Sequence, residues 1–372
     1  MKTANGMQII EMFEQFSPKR YAMEGDPIGL HVGELNKPVS KVMIALDVLE
    51  EVVDEAIEKG VELIIAHHPL IYRPLKKIDT AKASGRIIEK LIKHDIAVYA
   101  AHTNLDVAKG GVNDLLADAL QLQNTEVLVP THEIPLRKLV VYVPKEDEQK
   151  VRDALGKAGA GSLGNYSYCS FTVEGTGRFL PGEGSEPSIG KRGKIERVSE
   201  VRIETIFPEP IEKKILSAMI KAHPYEEVAY DIYKLENKGE SLGLGKIGVL
   251  AEEMSLGQFA EHVKETLEVE NVRVVGDLNS TIKKVAVLGG DGNKYFTTAK
   301  FKGADVYVTG DMYYHTAHDA MMIGLNIVDP GHNVEKVMKK GVARILNEMC
   351  VNKNLDVEFI PSELNTDPFT FI

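Results

Sequence analysis

The sequence predicts an α/β fold: two similar α/β halves that form one pseudo-twofold core, with an α+β domain inserted between them. Three observations predict it. Short apolar runs alternate with amphipathic stretches through residues 1–127, the same texture returns over residues 241–372, and the stretch between, residues 128–240, reads differently.

In the first half, MQIIEMFEQF at 7–16 has helical apolar spacing, and SPKRYAMEGDPIGL after it reads as loop through Pro18, Gly25, Pro27 and Gly29. Val42 to Leu46 is a buried strand, Leu49 to Lys59 a helix, and Val61 to Ala66 a second strand that ends at His67-His68-Pro69. Lys82 to Lys93 reads as helix, Ala97 to Ala101 as a third strand, and Gly111 to Leu122 as an amphipathic helix. Strands this uniformly apolar, separated by helices, imply a mostly parallel sheet covered on both faces.

The middle stretch changes to strands of charged alternation, with a helix near Glu148 to Ala158 and a Gly/Pro/Ser-rich run, PGEGSEPSIGKRGK, at 181–194. Its order of strand, helix, strands, helix, strand suggests a small ferredoxin-like α+β unit. ENKGESLGLGKIG at 236–248 then returns the chain to α/β texture.

An internal repeat ties the flanking halves together. KVMIALD from Lys41 resembles KVAVLGGD from Lys284, and KGVELIIAHH, ending at His68, resembles KGADVYVTGD, ending at Asp311. Both pairs start 243 positions apart. DIAVYAAH, ending at His102, pairs with LNIVDPGH, ending at His332, at a slightly shorter offset. Two such halves suggest a cleft between them, where ligands of α/β sheets tend to bind beyond strand ends.

Composition narrows the function. With 44 basic against 55 acidic residues, a net charge of −11 disfavours a broad nucleic-acid-binding face or an anionic membrane as partner. Cys169 and Cys350 sit in no CxxC, which fits a reducing compartment. No apolar run reaches the ~18 residues of a membrane span, so a cytoplasmic protein is expected.

Six of the eleven histidines fall in three windows, AHHPLIY, AAHTNLD and GDMYYHTAHDAMMIGLNIVDPGHNVEK, each following an expected strand. His67 and His68 are adjacent and would face opposite ways in a regular strand, but Pro69 ends the strand there. His332 and Glu335 stand three apart after Gly331, on one face of any helical turn that begins there. Imidazole nitrogen and carboxylate oxygen are the usual ligands of zinc, manganese and iron. Asp106 and Glu335, the acids nearest the histidines, are the bridging candidates if more than one ion binds, because two dications need anionic ligands. One such pair alone is compatible with an ordinary structural histidine, whereas three strand-end windows at matching points of a repeat are hard to explain by packing. Spacing does not give the number of ions.

GLHVG, IALDV, LIIAHHPLIY, HTNLDVAKGGVND, YVTGDMYYHTAHDA and DPGHNVE, in this order, resemble the motif series of the Nif3-like family, whose members are often labelled GTP cyclohydrolase 1 type 2 homologues. The resemblance spans both halves. It implies two divalent metal ions per chain, zinc first with iron or manganese as the other candidates, in a cleft between α/β halves, and a toroidal homohexamer. The ligands it implies are His67, His68, Asp106, His332 and Glu335. His102 resembles the family's histidine beside the metals, where it would support the ligands, ligate weakly or shuttle a proton, with an ordinary hydrogen-bonded loop histidine as the equal alternative, and His315 is the second catalytic candidate. Asp311 and His318 would line the cleft, although their spacing from His315 also suits a plain polar helix face. The middle stretch resembles the family's PII-like or CutA-like insert, with HPYEE at 223–227 as its most recognisable piece. There His223, Glu226 and Glu227 could hold a metal or partner, but a capped loop with a solvated acidic pair is the preferred reading. Gly289-Gly290-Asp291-Gly292-Asn293 is only loosely like a phosphate loop, since it lacks the Lys-Ser/Thr of a P-loop.

Two functions follow as expectations. The first is a metal-dependent hydrolase, with a nucleotide such as GTP as the substrate the resemblance suggests. The second is a non-catalytic protein that senses or delivers metal, or recruits a partner through the insert.

Overall fold

The computed structural model describes residues 3–372. The chain divides into two compact units, one formed by residues up to His132 together with Leu242–Ile372, the other by Glu133–Ser241. The expected boundary at 127/128 falls inside the strand Gln123–Glu133, an edge strand of the first unit.

One sheet of the first unit runs, in spatial order, Glu358–Pro361, Lys41–Ala45, Leu63–Ala66, Ala97–Ala100 and Gly29–Val32. The first four strands are parallel and Gly29–Val32 is antiparallel to its neighbour. Successive side chains of a strand point to opposite faces, and the core divides accordingly. Val42, Ile44, Leu63, Ile65 and Tyr99 pack with Ile9 and Phe13 of the helix Gly6–Phe16 and Leu346 of the helix Val337–Lys353. Met43, Ala45, Ile64, Ala66 and Val98 pack instead with Val52, Val53 and Ala56 of Glu50–Glu58 and with Ile88 and Leu91 of Ala83–Lys93. With both faces covered, each fully buried Val, Leu, Ile, Met or Phe side chain here is worth about 1.5–3 kcal/mol, which is why the strands read as unbroken apolar runs. The first helix starts at a capping box, where Asn5 accepts from the Gln8 backbone N–H and Gln8 accepts from that of Asn5.

The second sheet of this unit is six-stranded, in the order Arg273–Val275, Asn326–Asp329, Val306–Gly310, Thr281–Asp291, Ser241–Ser255 and Gln123–Glu133. Asn326–Asp329, Val306–Gly310 and Thr281–Asp291 are parallel. The repeat reappears in the pairing: Val42 lies opposite Leu63 and Ile44 opposite Ile65, while Val285 lies opposite Val306 and Val287 opposite Val308. Every residue of the second set stands 243 positions after its counterpart. In the next strand Ala97 holds the place opposite Leu63 that Asn326 holds opposite Val306. His102 therefore follows its strand by two residues and His332 by three, the extra one accommodated by Pro330-Gly331.

The unit Glu133–Ser241 is an antiparallel sheet in the order Tyr230–Lys234, Leu136–Pro144, Glu196–Pro208 and Phe171–Phe179, with helices Glu148–Ala158 and Glu212–Ala222. Leu139, Val141, Val143, Val201 and Ile203, alternate residues of two strands, pack against Val151, Leu155, Ile215 and Met219 of the helices. Among the described residues no helix is long and apolar enough to cross a membrane.

Candidate metal centre

Backbone pairing continues one step past the strand Leu63–Ala66, since His67 N–H donates to the Ala45 carbonyl and His68 N–H to the Leu46 carbonyl. The two rings then lie 5.1 Å apart between centroids. His67 is fully buried, and its Nδ1–H donates to the Ala101 carbonyl at 3.0 Å. A carbonyl only accepts, so this bond leaves Nε2 as the nitrogen with a free lone pair. His68 Nδ1–H donates to Asp47 Oδ1 at 2.7 Å, and His332 Nδ1–H donates to Asp311 Oδ2 at 2.7 Å. Carboxylates that hold the distal nitrogen in this way are the usual supports of metal-ligating histidines.

All three Nε2 atoms turn toward one oxygen. Glu335 Oε2 lies 3.0 Å from His68 Nε2, 3.2 Å from His332 Nε2 and 3.7 Å from His67 Nε2. The 3₁₀ turn His332–Lys336 brings its share together, because residues three apart eclipse one another there. Asp106, from the short helix Thr103–Val107, brings Oδ1 to 3.6 Å from His67 Nε2. His67, His68 and Glu335 offer ligand atoms that all lie within 4.8 Å of one another, a spacing suited to a metal ion.

Two buried atoms here have no hydrogen-bond partner, His67 Nε2 and Asp106 Oδ1. A buried polar atom left unsatisfied is costly, and a cation held between these two would satisfy both. The charges are strongly coupled. Burial works against the ionised form of Glu335, but His67 and hydrogen bonds from the surrounding imidazoles hold its carboxyl well below the usual range. Burial lifts Asp106 to about 6 despite His67 beside it. His68, whose burial is outweighed by Asp47 and Glu335, is raised to about 10, and His332 to about 9 chiefly by its bond to Glu335. The carboxylates thus make the pocket attractive to positive charge, which protons or metal ions supply.

Backbone approach matters at Gly290. Its φ is +63°, and a Cβ there would come within 2.8 Å of Glu335 Oε1 and 3.3 Å of His332 Nε2. Buried Asn113 holds both sides of the site, donating from Nδ2 to the Asp106 carbonyl and accepting the Gly289 N–H on Oδ1.

His102 joins the cluster, its ring 5.3 Å from that of His67 and 6.0 Å from that of His68. Its Nδ1–H donates to Asp26 Oδ1 at 2.8 Å, and Asp26 also accepts from the Thr103 backbone and hydroxyl. His315 and His318 stand apart from these contacts. Both are exposed on the helix Tyr314–Met322, and each has its ring against Tyr314. Asp311 is not simply a wall of the cleft, since it is the carboxylate that orients His332. Asp47 and Asp26, given no role from the sequence, do the same for His68 and His102. In the other unit His223 is committed on both nitrogens, with Nε2–H on the Tyr142 carbonyl and Nδ1 accepting the Tyr225 N–H. Glu226 accepts the Glu186 N–H, and Glu227 is exposed.

Comparison with known proteins follows the same outline. The sequence model of a family described as Duf34/NIF3 (NGG1p interacting factor 3) matches residues 4–368. A Bacillus subtilis (strain 168) protein named GTP cyclohydrolase 1 type 2 homolog is 63% identical over 371 residues, covering 100% of both chains. The crystal structure of a Bacillus cereus protein related to NIF3 superposes with a TM-score of 0.92 at 65% identity, again over 100% of both chains. That of Staphylococcus aureus protein SA1388 gives a TM-score of 0.73 at 34% identity, with the same coverage.

Proposed function

The chain belongs to the Duf34/NIF3 family, and from that premise we propose that it is a metal-dependent hydrolase whose two divalent ions are held by His67, His68, Asp106, His332 and Glu335. The observation that carries the reading is the convergence of three imidazole Nε2 atoms on Glu335 Oε2 while each Nδ1 is occupied elsewhere. Structural histidines spend both nitrogens on the fold, as His223 does; these three turn their second nitrogen to one shared carboxylate, and His67 Nε2 has no hydrogen-bond partner at all.

Zinc is the first candidate, with iron or manganese next, and when bound such ions supply Lewis acidity and a water whose pKa falls toward neutrality. The chain's own groups supply the rest. Asp47 and Asp311 keep His68 and His332 in one tautomer. His102, its Nδ1 fixed by Asp26, is the group beside the cluster able to hold and return a proton. His315 is the second proton carrier, reaching substrate from the exposed face of its helix. A purine nucleotide is the substrate class we favour, on the name carried by the Bacillus subtilis relative.

We further read the first unit as two copies of one α/β motif, supported by the shared register, and Glu133–Ser241 as a ferredoxin-like, PII/CutA-like insert, supported by its strand order. Assembly as a toroidal homohexamer in the cytoplasm completes the proposal.

Turnover on metal-loaded protein, screened across GTP, other nucleotides, phosphoesters and cyclic amides, tests it. Activity should vanish with His332→Ala. His102→Ala or His315→Ala should slow it by ~100- to 10,000-fold, the usual range for a lost proton carrier, without emptying the site. Metal-loaded protein that turns over none of these would favour a protein that stores or senses metal.

A further inference from the structure

We infer that the cavity between the start of the helix Val337–Lys353 and the segment Pro361–Asn365 is a binding site for a small phosphate-bearing anion. The cavity measures about 670 Å³, within the range of small-molecule sites. Four cations line it, Lys336, Lys339, Lys340 and Arg344, against two acids, Glu268 and Glu363. That is a positive cavity in a chain whose net charge is −11.

Arg344 pairs with Glu348 at 3.1 Å, but the arrangement leaves Lys336 and Lys339 available. Lys336 Nζ donates to the Glu268 carbonyl at 2.7 Å and Lys339 Nζ to the Leu364 carbonyl at 2.8 Å, so both ammonium groups are tethered to backbone of the cavity wall. An ammonium has three protons, and each keeps two for a ligand. Among the described residues neither lysine is ion-paired, whereas the carboxylate of Glu363 is turned to Lys59 at 3.2 Å. Burial pushes the Lys339 ammonium below its usual range, a cost that a bound anion offsets. Leu115, Val337 and Leu364 give the same cavity an apolar wall able to take a nucleoside or other flat body.

No candidate metal ligand lines the cavity, yet Lys336 follows Glu335 in the chain, and phosphates also bind metal ions. The experiment separates the two places. Pyrophosphate is titrated calorimetrically into the full-length protein, with GTP as a second probe. Wild type, Lys353→Gln at the far end of the same helix and the charge-keeping Lys339→Arg should bind alike, and His68→Ala, which removes a proposed metal ligand, should keep the lysine-dependent binding. Lys339→Gln/Lys340→Gln, with its fold checked by circular dichroism, should bind about tenfold more weakly or worse, as loss of charge-assisted bonds requires. GTP tighter than pyrophosphate would put a nucleoside on the apolar wall, and equal affinity would make phosphate alone the ligand. The inference fails if wild type binds neither probe, if the double variant binds as wild type does, or if binding disappears with His68→Ala and survives in the double variant.

Discussion

His68 Nε2 lies 3.0 Å from Glu335 Oε2, although 267 residues separate the two in the chain. One comes from a strand end of the first half and the other from a 3₁₀ turn of the second, so the site exists only when both sheets are folded together. Glu335 is its centre, reached by three histidines where Asp106 is reached by one. Glu335→Gln keeps the shape and removes the charge, leaving His67, His68 and His332 to repel one another. Elemental analysis after incubation with zinc, manganese or iron should find less than one ion per chain, and a variant that still holds two would remove Glu335 from the ligand set.

Asp47 and Asp311 touch no proposed ion, yet each fixes a ligand imidazole. Supports of this kind are worth roughly 10- to 100-fold in metal affinity. Asp47→Asn and Asp311→Asn should each weaken binding by that amount in competition with a chelator, while leaving the circular dichroism spectrum unchanged. Affinity equal to wild type would make them ordinary surface acids.

Gly290→Ala asks for a Cβ at φ +63° and within 2.8 Å of Glu335 Oε1. The left-handed backbone alone costs about 1–2 kcal/mol in a non-glycine residue, and Glu335 must also retreat. Thermal unfolding should show the loss of stability and elemental analysis the loss of metal. A stable, fully metallated variant would contradict the close approach.

Much of this was legible in the sequence because strands covered on both faces must be apolar throughout, as 42–46 and 97–101 are. The eclipsing of His332 and Glu335 followed from their separation by three. The orienting acids were not legible: Asp26 acts on His102 from 76 positions away, and a lone acid at a strand end or in a loop looks like any turn residue. Gln123–Glu133 carries no strand signal in the sequence because it is a mostly exposed edge, without the apolar run that marks a buried one. His315 shares a window with Asp311, but its helix leaves it exposed, and spacing within that helix carries no sign of which face looks toward the cluster.

His223 supplies a dependence on pH in the other unit. Burial pushes its imidazole below the usual value of 6.5, and the Tyr142 carbonyl only partly opposes this. The unfolded chain therefore takes up a proton at a pH where the folded chain does not. The stability this residue contributes is complete above about 6.5 and is lost as pH falls through its lower folded value, with a slope of at most about 1.4 kcal/mol per pH unit for one proton. Thermal melts from pH 7.5 down to 5 should fall less steeply for His223→Gln than for wild type. Parallel curves would mean that His223 titrates alike in both states.

The central claim is that five side chains from both halves of the first unit hold two metal ions, and the metal content of the purified protein tests it most directly. Elemental analysis, before and after incubation with zinc, manganese and iron salts, should find close to two ions per chain, with His332→Ala losing them. Protein that stays metal-free under all three salts would contradict the account.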